Sequence, residues 1–278
     1  MDTPESPGQD ARTIKIAHLS DVHFGRIAHP DVVDAIIDDV NGAAADLVVV
    51  SGDFTQRART RQYRAAATML ASFDVPWLVV PGNHDVYPWW RPVSRLVNPL
   101  RRYRRWITAN LTPSFVKPGL AVLGINSAFG WTVKGGRIVE SQRAAMRAFF
   151  GGAQEGAFRV LVVHHHLTQL DALGRHDLAR QAKDTLNCAA EMNVDLILCG
   201  HLHVSHTSHV EVVPNGHGLV VATAGTATSD RGRKKFRNTN FYTQISINDE
   251  AFEIAERQFN PDLVQFEEVR RESFQRCR

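Results

Sequence analysis

Five times along this chain a short apolar run stops and a cluster of aspartate, asparagine or histidine follows at once. The clusters are Asp21-Val22-His23, Gly52-Asp53, Gly82-Asn83-His84-Asp85, His164-His165-His166 and Gly200-His201-Leu202-His203. Runs such as Leu47-Val48-Val49-Val50 have the length and composition of buried strands. In α/β sheets, ligand sites form beyond the carboxyl ends of strands. Five such ends can therefore converge on one pocket although they are spread over about 180 residues of sequence.

The residue types suit a borderline divalent metal, which accepts imidazole nitrogen together with carboxylate or amide oxygen; no thiolate belongs to the set. Ligands two residues apart, as in Asp-x-His and His-x-His, point to the same face of extended backbone. A carboxylate such as Asp53 has two oxygens and can bridge two ions about 3.5 to 4 Å apart. The glycines before Asp53, Asn83 and His201 permit the sharp turns and close approaches such a cage requires. Taken singly, each fragment has a plainer explanation. Asp-x-His reads equally as a helix N-cap beside a packed histidine, and Gly82 to Asp85 as an Asx-type turn. Of three successive histidines at a strand end, at least one must face away from the others and be structural. The ordered recurrence at five strand ends is what points to metal chemistry.

Around these segments the chain alternates strand-like runs with amphipathic stretches. Expected strands are Thr13–Leu19, Leu47–Ser51, Trp77–Val80, Leu120–Ile125, Phe158–Val163, Leu196–Cys199, His206–Val213, Leu219–Ala222, Phe241–Ile247 and Ala251–Arg257. Expected helices are Pro30–Asn41, Thr60–Phe73, Ser141–Phe150 and Ala179–Met192. Asn215-Gly216 is a hairpin signal, and the last third reads as more antiparallel than the first. This gives α/β layering in one domain over 12–260. Residues 1–11 read as a disordered lead-in without a secretory signal, 86–115 as an Arg/Trp-rich cap, and 261–278 as a C-terminal tail. Composition removes several classes: 44% hydrophobic and 22% charged residues fit a soluble globular chain, not a disordered or collagenous one. The longest apolar runs fall far short of the roughly 20 residues of a membrane-spanning helix. A net charge of +3 does not imply nucleic-acid binding. Three cysteines without CxxC spacing give neither a disulfide framework nor a zinc ribbon, which points to a reducing, cytoplasmic setting.

The motif series resembles that of the calcineurin-like metallophosphoesterases, over about residues 12 to 258, and is most similar to the bacterial class III cyclic-nucleotide phosphodiesterases. The resemblance implies a four-layer α/β/β/α sandwich of two mixed sheets and two divalent metal ions (Mn, Fe, Zn, Co or Ni). Asp21, His23, Asp53 and His203 would hold the first ion. Asp53, Asn83, one histidine of the run and His201 would hold the second. In the family that histidine lies two positions before a proline; Leu167 stands in the proline's place, so His165 is the best positional match and His164 the reserve. The implied reaction is hydrolysis of a small anionic phosphodiester by a hydroxide bridging the ions. His84 would protonate the leaving alkoxide and Asp85 would orient the His84 ring by a hydrogen bond. Asn83, His84, His206 and, from the cap, Arg91 are expected to contact substrate. Two basic clusters, Arg91 to Arg105 and Arg231 to Arg237, read as solvated surfaces unless a site lies beside them. Alternatives that keep the fold are a hydrolase of a lipid-linked or nucleotide-linked phosphoester or pyrophosphate, a nuclease, and a non-catalytic scaffold. Nucleic acid is not the favoured partner, and self-association is left open.

Overall fold

The apolar runs become strands and the amphipathic stretches become helices, in a computed structural model that describes residues 13–132, 135–169, 176–211, 218–232, 236 and 238–276. The first half alternates β1 (Ile14–Leu19), α1 (Val32–Gly42), β2 (Leu47–Val50), α2 (Thr60–Ala71) and β3 (Trp77–Val79). Two short helices follow, α3 (Pro92–Val97) and α4 (Arg101–Trp106), then β4 (Ser114–Lys117), β5 (Leu120–Gly124), α5 (Glu140–Gly151) and β6 (Phe158–Val162). The remainder runs α6 (Ala182–Glu191), β7 (Leu196–Cys199), β8 (His206–Glu211), β9 (Gly218–Thr223), β10 (Phe241–Ile247), β11 (Ala251–Asn260) and β12 (Gln265–Gln275). The helical stripes are those the spacing predicts: α1 buries Val32, Ala35, Ile36 and Val40, and α2 buries Tyr63, Ala66, Met69 and Leu70.

The strands form two mixed sheets, ordered β12-β11-β10-β1-β2-β3 and β4-β5-β6-β7-β9-β8. Within them β1, β2 and β3 are parallel neighbours, as are β5, β6, β7 and β9. Strands buried on both faces need no alternation, which is why β2 is Leu-Val-Val-Val throughout. Three apolar clusters occupy the three spaces between four layers. Ile16, Leu47, Val49, Val122, Val160 and Leu198 meet between the sheets. Val48, Val50 and Val79 pack outward against Ile36, Tyr63 and Met69. Leu123, Leu161 and Ile197 pack outward against Met146, Phe150 and Ala189. The architecture is thus the expected α/β/β/α sandwich.

Three differences from the sequence reading have physical causes. The stretch expected to be a tail contains β12, an antiparallel edge strand paired with β11 from Ala251↔Gln275 to Asn260↔Gln265. Its exposed residues are mostly charged, so no apolar alternation marks it, and only Phe266 is buried. The cap segment holds α3, α4 and the start of β4, each too short to carry a period. The Asn215-Gly216 turn lies outside the described residues, although β8 and β9 do pair antiparallel.

Candidate metal centre

The site lies where the carboxyl ends of β1, β2 and β3 of one sheet and of β6 and β7 of the other come together. The loop after β1 is zipped to the loop after β2 by backbone bonds: Asp21 N to Gly52 O (3.1 Å), His23 N to Asp53 O (2.8 Å) and Phe24 N to Phe54 O (2.9 Å). Glycine is required where loops cross most closely. A Cβ on Gly82 would sit 2.0 Å from Asp53 Oδ1, and one on Gly200 would sit 1.7 Å from Ser20 Oγ. The ligand pairs do not use extended backbone as the two-residue spacing suggested. Asp21, His23, Asp53, His201 and His203 all adopt positive φ, between 50° and 71°. Non-glycine residues rarely take this conformation, and it concentrates at functional sites. Between each pair, the spacers Val22 and Leu202 are buried, Val22 within the apolar core, while the ligand pairs meet in the cleft.

Each central carboxylate is held by one oxygen and bare at the other. Asp21 Oδ2 accepts from Ser20 Oγ and from His201 N, both 2.8 Å, while Oδ1 has no hydrogen bond. Oδ1 lies 3.3 Å from His203 Nε2 and 3.6 Å from His23 Nε2, and those two nitrogens are 3.3 Å apart. Asp53 Oδ1 accepts from His84 N at 2.8 Å, while Oδ2 is buried and unpartnered. Asp53 Oδ2 stands 3.6 Å from His23 Nε2 on one side and 3.5 Å from His164 Nε2 on the other. Asn83 Oδ1 completes the second side, 3.2 Å from His164 Nε2 and 2.9 Å from His201 Nδ1.

One set of ligand atoms, from Asp21, His23, Asp53 and His203, falls within 4.8 Å of one another; so does a second set, from His164, His165 and His201. Bare buried oxygens aimed at imidazole nitrogens are costly unless a cation completes them, so the residues fit divalent metal ions. The electrostatics agree. Burial alone would raise both carboxyls, yet nearby imidazoles, His203 for Asp21 and His164 for Asp53, hold both well below the usual carboxylate range. Burial pushes His201 and His203 down to about 3, which keeps them in the neutral form a metal needs. Burial opposes charge on His164 too, but the Asp53 carboxylate prevails and raises it to about 9. Positive charge is favoured beside Asp53.

The histidine run separates into three roles. His164 donates from Nδ1 to Ser51 O at 2.7 Å, which leaves Nε2 free to face Asp53 and Asn83. His165 pairs its Nδ1 with Ser127 Oγ at 2.8 Å and has a buried Nε2 without a partner. His166 Nε2 bonds Gly200 O at 2.9 Å and is structural, as alternation requires of one member. The reserve candidate, His164, is therefore the one that reaches Asp53 and Asn83. His165, the best positional match, lies in the same group of ligand atoms as His164 and His201.

His84 is half-buried, its ring edge-on to His23 with centroids 4.8 Å apart. Its Nδ1 donates to Gln56 O at 2.9 Å, and its Nε2 faces outward, 3.2 Å from an Arg231 amine. The hydrogen bond expected from Asp85 to this ring is not formed. The Asp85 carboxylate accepts from Phe54 N, Thr55 N, Thr55 Oγ1 and Gly82 N and so ties two loops together. The Gln56 carbonyl orients the ring instead. Burial lowers His84 to about 4 and, with Asp53 acting in the same direction, raises Asp85 to about 7.

Beside His84 opens a groove of about 250 Å³, lined by Asn83 and His84, by Gln56, Arg57 and Arg231, and by Trp89 and Trp90. Arg231 comes from the second basic cluster, and its signal in the sequence was its position just after a Gly/Thr-rich loop. Gln56 and Arg57 gave no signal. Arg91, expected at the substrate, instead lines a separate hollow with Arg101, Arg102 and Arg105, and His206 begins β8 without lining the groove.

Comparison with known proteins agrees with this geometry. A family model described as calcineurin-like phosphoesterase matches residues 14–205. The 3′,5′-cyclic adenosine monophosphate phosphodiesterase CpdA of Escherichia coli K12 is 26% identical over 235 residues, covering 79% of this chain and 78% of the relative. The glycerophosphodiester phosphodiesterase GpdQ of Enterobacter lignolyticus is 35% identical over 80 residues, covering 25% of this chain and 29% of the relative. Among solved structures, a purple acid phosphatase from yellow lupin superposes with a TM-score of 0.70 at 14% identity, covering 98% of this chain and 55% of that one. A dimetal phosphatase from Danio rerio gives 0.64 at 13% identity, covering 95% and 99%. At such identities the structures speak for the fold alone.

Proposed function

The chain belongs to the calcineurin-like phosphoesterase family and is a metal-dependent phosphoester hydrolase, and from that premise we propose that it cleaves phosphodiesters with two divalent ions. Asp21, His23, Asp53 and His203 hold one ion, and Asp53, Asn83, His164 and His201 hold the other. The observation that carries this reading is the bare Asp53 Oδ2, set between His23 Nε2 and His164 Nε2. When bound, such ions neutralise phosphoryl charge and lower the pKa of water enough for attack at neutral pH.

The chain's own residues do the rest. Because the Gln56 carbonyl occupies Nδ1, His84 presents Nε2 to the groove, where it can give a proton to the departing alkoxide. Burial disfavours the charged ring in the free protein, and an anionic diester arriving beside it restores the proton. Arg231, within reach of the same nitrogen, pairs with a phosphoryl oxygen and keeps the leaving group against His84. Preference for diesters is supported by the relatives named as cyclic AMP and glycerophosphodiester phosphodiesterases.

The test is the leaving-group dependence of His84→Ala. Loss of acid catalysis costs about 10²- to 10⁴-fold on an alkyl diester but far less on bis-p-nitrophenyl phosphate, whose leaving group hardly needs a proton. Equal losses on both substrates, with metal content unchanged, would remove His84 from the acid role.

A further inference from the structure

The helix α3 is built inside out. Its one arginine, Arg95, is buried and donates to the carbonyls of Gly130, Tyr87 and Thr132, while Val93, Leu96 and Val97 face solvent. Val93 is 73% exposed and Val97 80%. On one flank Trp89 is 72% exposed, and on the other Trp131, held beside α3 by the Arg95 bonds to its two neighbours, is 78% exposed. Among the described residues none covers these side chains, and exposed apolar side chains gathered about one short helix mark an interaction site.

The charge around it is of one sign. No acidic residue occurs between Asp85 and Glu140. The hollow next to α3, about 430 Å³, is lined by Arg64, Arg91, Arg101, Arg102 and Arg105 with no carboxylate among its lining. Arg64 and Arg105 lie over the Trp106 ring and Arg102 over Tyr87, so aromatic faces, not acids, hold the guanidinium groups together. Protruding aliphatic and indole side chains among arginines that meet no carboxylate among the described residues are the chemistry of a peripheral membrane surface, in which apolar groups enter the acyl boundary and cations meet anionic head groups. A nucleic acid would use the arginines but gain nothing from bare valine and leucine, and a second copy of the chain would have to face the same positive charge.

We propose that the α3 ridge is a membrane-docking surface that seats this protein on an anionic phospholipid bilayer. Trp89 belongs both to the ridge and to the groove beside His84, so docking turns the mouth of the site toward the lipid head groups.

The full chain is tested by co-sedimentation with vesicles of phosphatidylcholine alone and of phosphatidylcholine mixed with phosphatidylglycerol. It is expected to pellet with the mixed vesicles only, and less as salt rises. The pair Arg101→Gln, Arg105→Gln lowers partitioning by about 25-fold, near fivefold for each cation removed. The triple variant Val93→Ser, Leu96→Ser, Val97→Ser loses at least about tenfold while its circular dichroism and its hydrolysis of bis-p-nitrophenyl phosphate are unchanged. If the triple variant does not fold, the arginine pair, on exposed side chains, decides alone. Four results would overturn the proposal: no pelleting with mixed vesicles at low salt, equal pelleting with neutral ones, variants that pellet like the parent, or a short DNA duplex that displaces the protein from vesicles through the same residues. Absence of hydrolysis in every form would count against the phosphodiesterase reading and leave vesicle binding to be judged on its own.

Discussion

At the scale of single residues, Asp53 has two unlike jobs, one for each oxygen. Oδ1 is fixed by the His84 amide, which locks the carboxylate plane, and Oδ2 is thereby presented bare to both ligand sets. Asp53→Asn keeps the acceptor that meets the His84 amide but removes the negative charge and puts an NH₂ donor in place of Oδ2, and it should hold fewer metal ions than the parent. Elemental analysis of protein purified with Mn²⁺ is expected to fall from about two ions per chain to below one. An unchanged ratio would show that Asp53 does not bridge. The ligand types and their order were legible in the sequence because coordination chemistry demands particular atoms. Which ring of the histidine run turns inward was not, because that depends on Ser51 and Ser127, which come to lie under the run only in the folded chain. Asp85 illustrates the same limit: the resemblance implied that it orients His84, whereas donors from Phe54, Thr55 and its own turn at Gly82 meet its oxygens.

At the scale of elements, apolar parallel strands announced themselves and a polar edge strand did not. β2, β5, β6 and β7 are read directly from apolar runs. The edge strand β12 hides because most of it is solvated and only Phe266 and Phe274, far apart along it, turn inward. Phe266 nonetheless joins three strands of its sheet: its ring meets Tyr242 of β10 at 5.3 Å and Phe259 of β11 at 5.5 Å. On the helical side, Arg257 of β11 grips the Asp39 carboxylate of α1 through two bonds of 2.7 Å and also donates to the Phe266 carbonyl at 2.8 Å. β12 is thus part of what holds α1 on the sheet. Phe266→Ala should cost about 3 kcal/mol, the order expected for truncating a buried aromatic, read as a lower urea midpoint. A variant with an unchanged midpoint would return residues 265–275 to the status of a dispensable tail.

At the scale of the whole molecule, two sheets packed face to face enclose several imidazoles that burial keeps neutral. His18, on β1 beneath the site, is fully buried; its Nε2 meets Ser51 Oγ of the next strand's loop at 2.9 Å and its Nδ1 has no partner. Burial pushes its pKa from 6.5 down to about 3, against the pull of Asp21. The unfolded chain therefore binds a proton between those values that the folded chain refuses. The stability this group contributes is intact above its unfolded pKa and is lost as pH falls through the window from 6.5 toward 3. One such proton corresponds to a slope of about 1.4 kcal/mol per pH unit. Urea unfolding at a series of pH values in that window should give the parent a steeper loss of stability on acidification than His18→Gln, by about that slope. Parallel curves would mean that His18 already takes up its proton in the folded protein, and that the space between the sheets admits charge more readily than its packing implies.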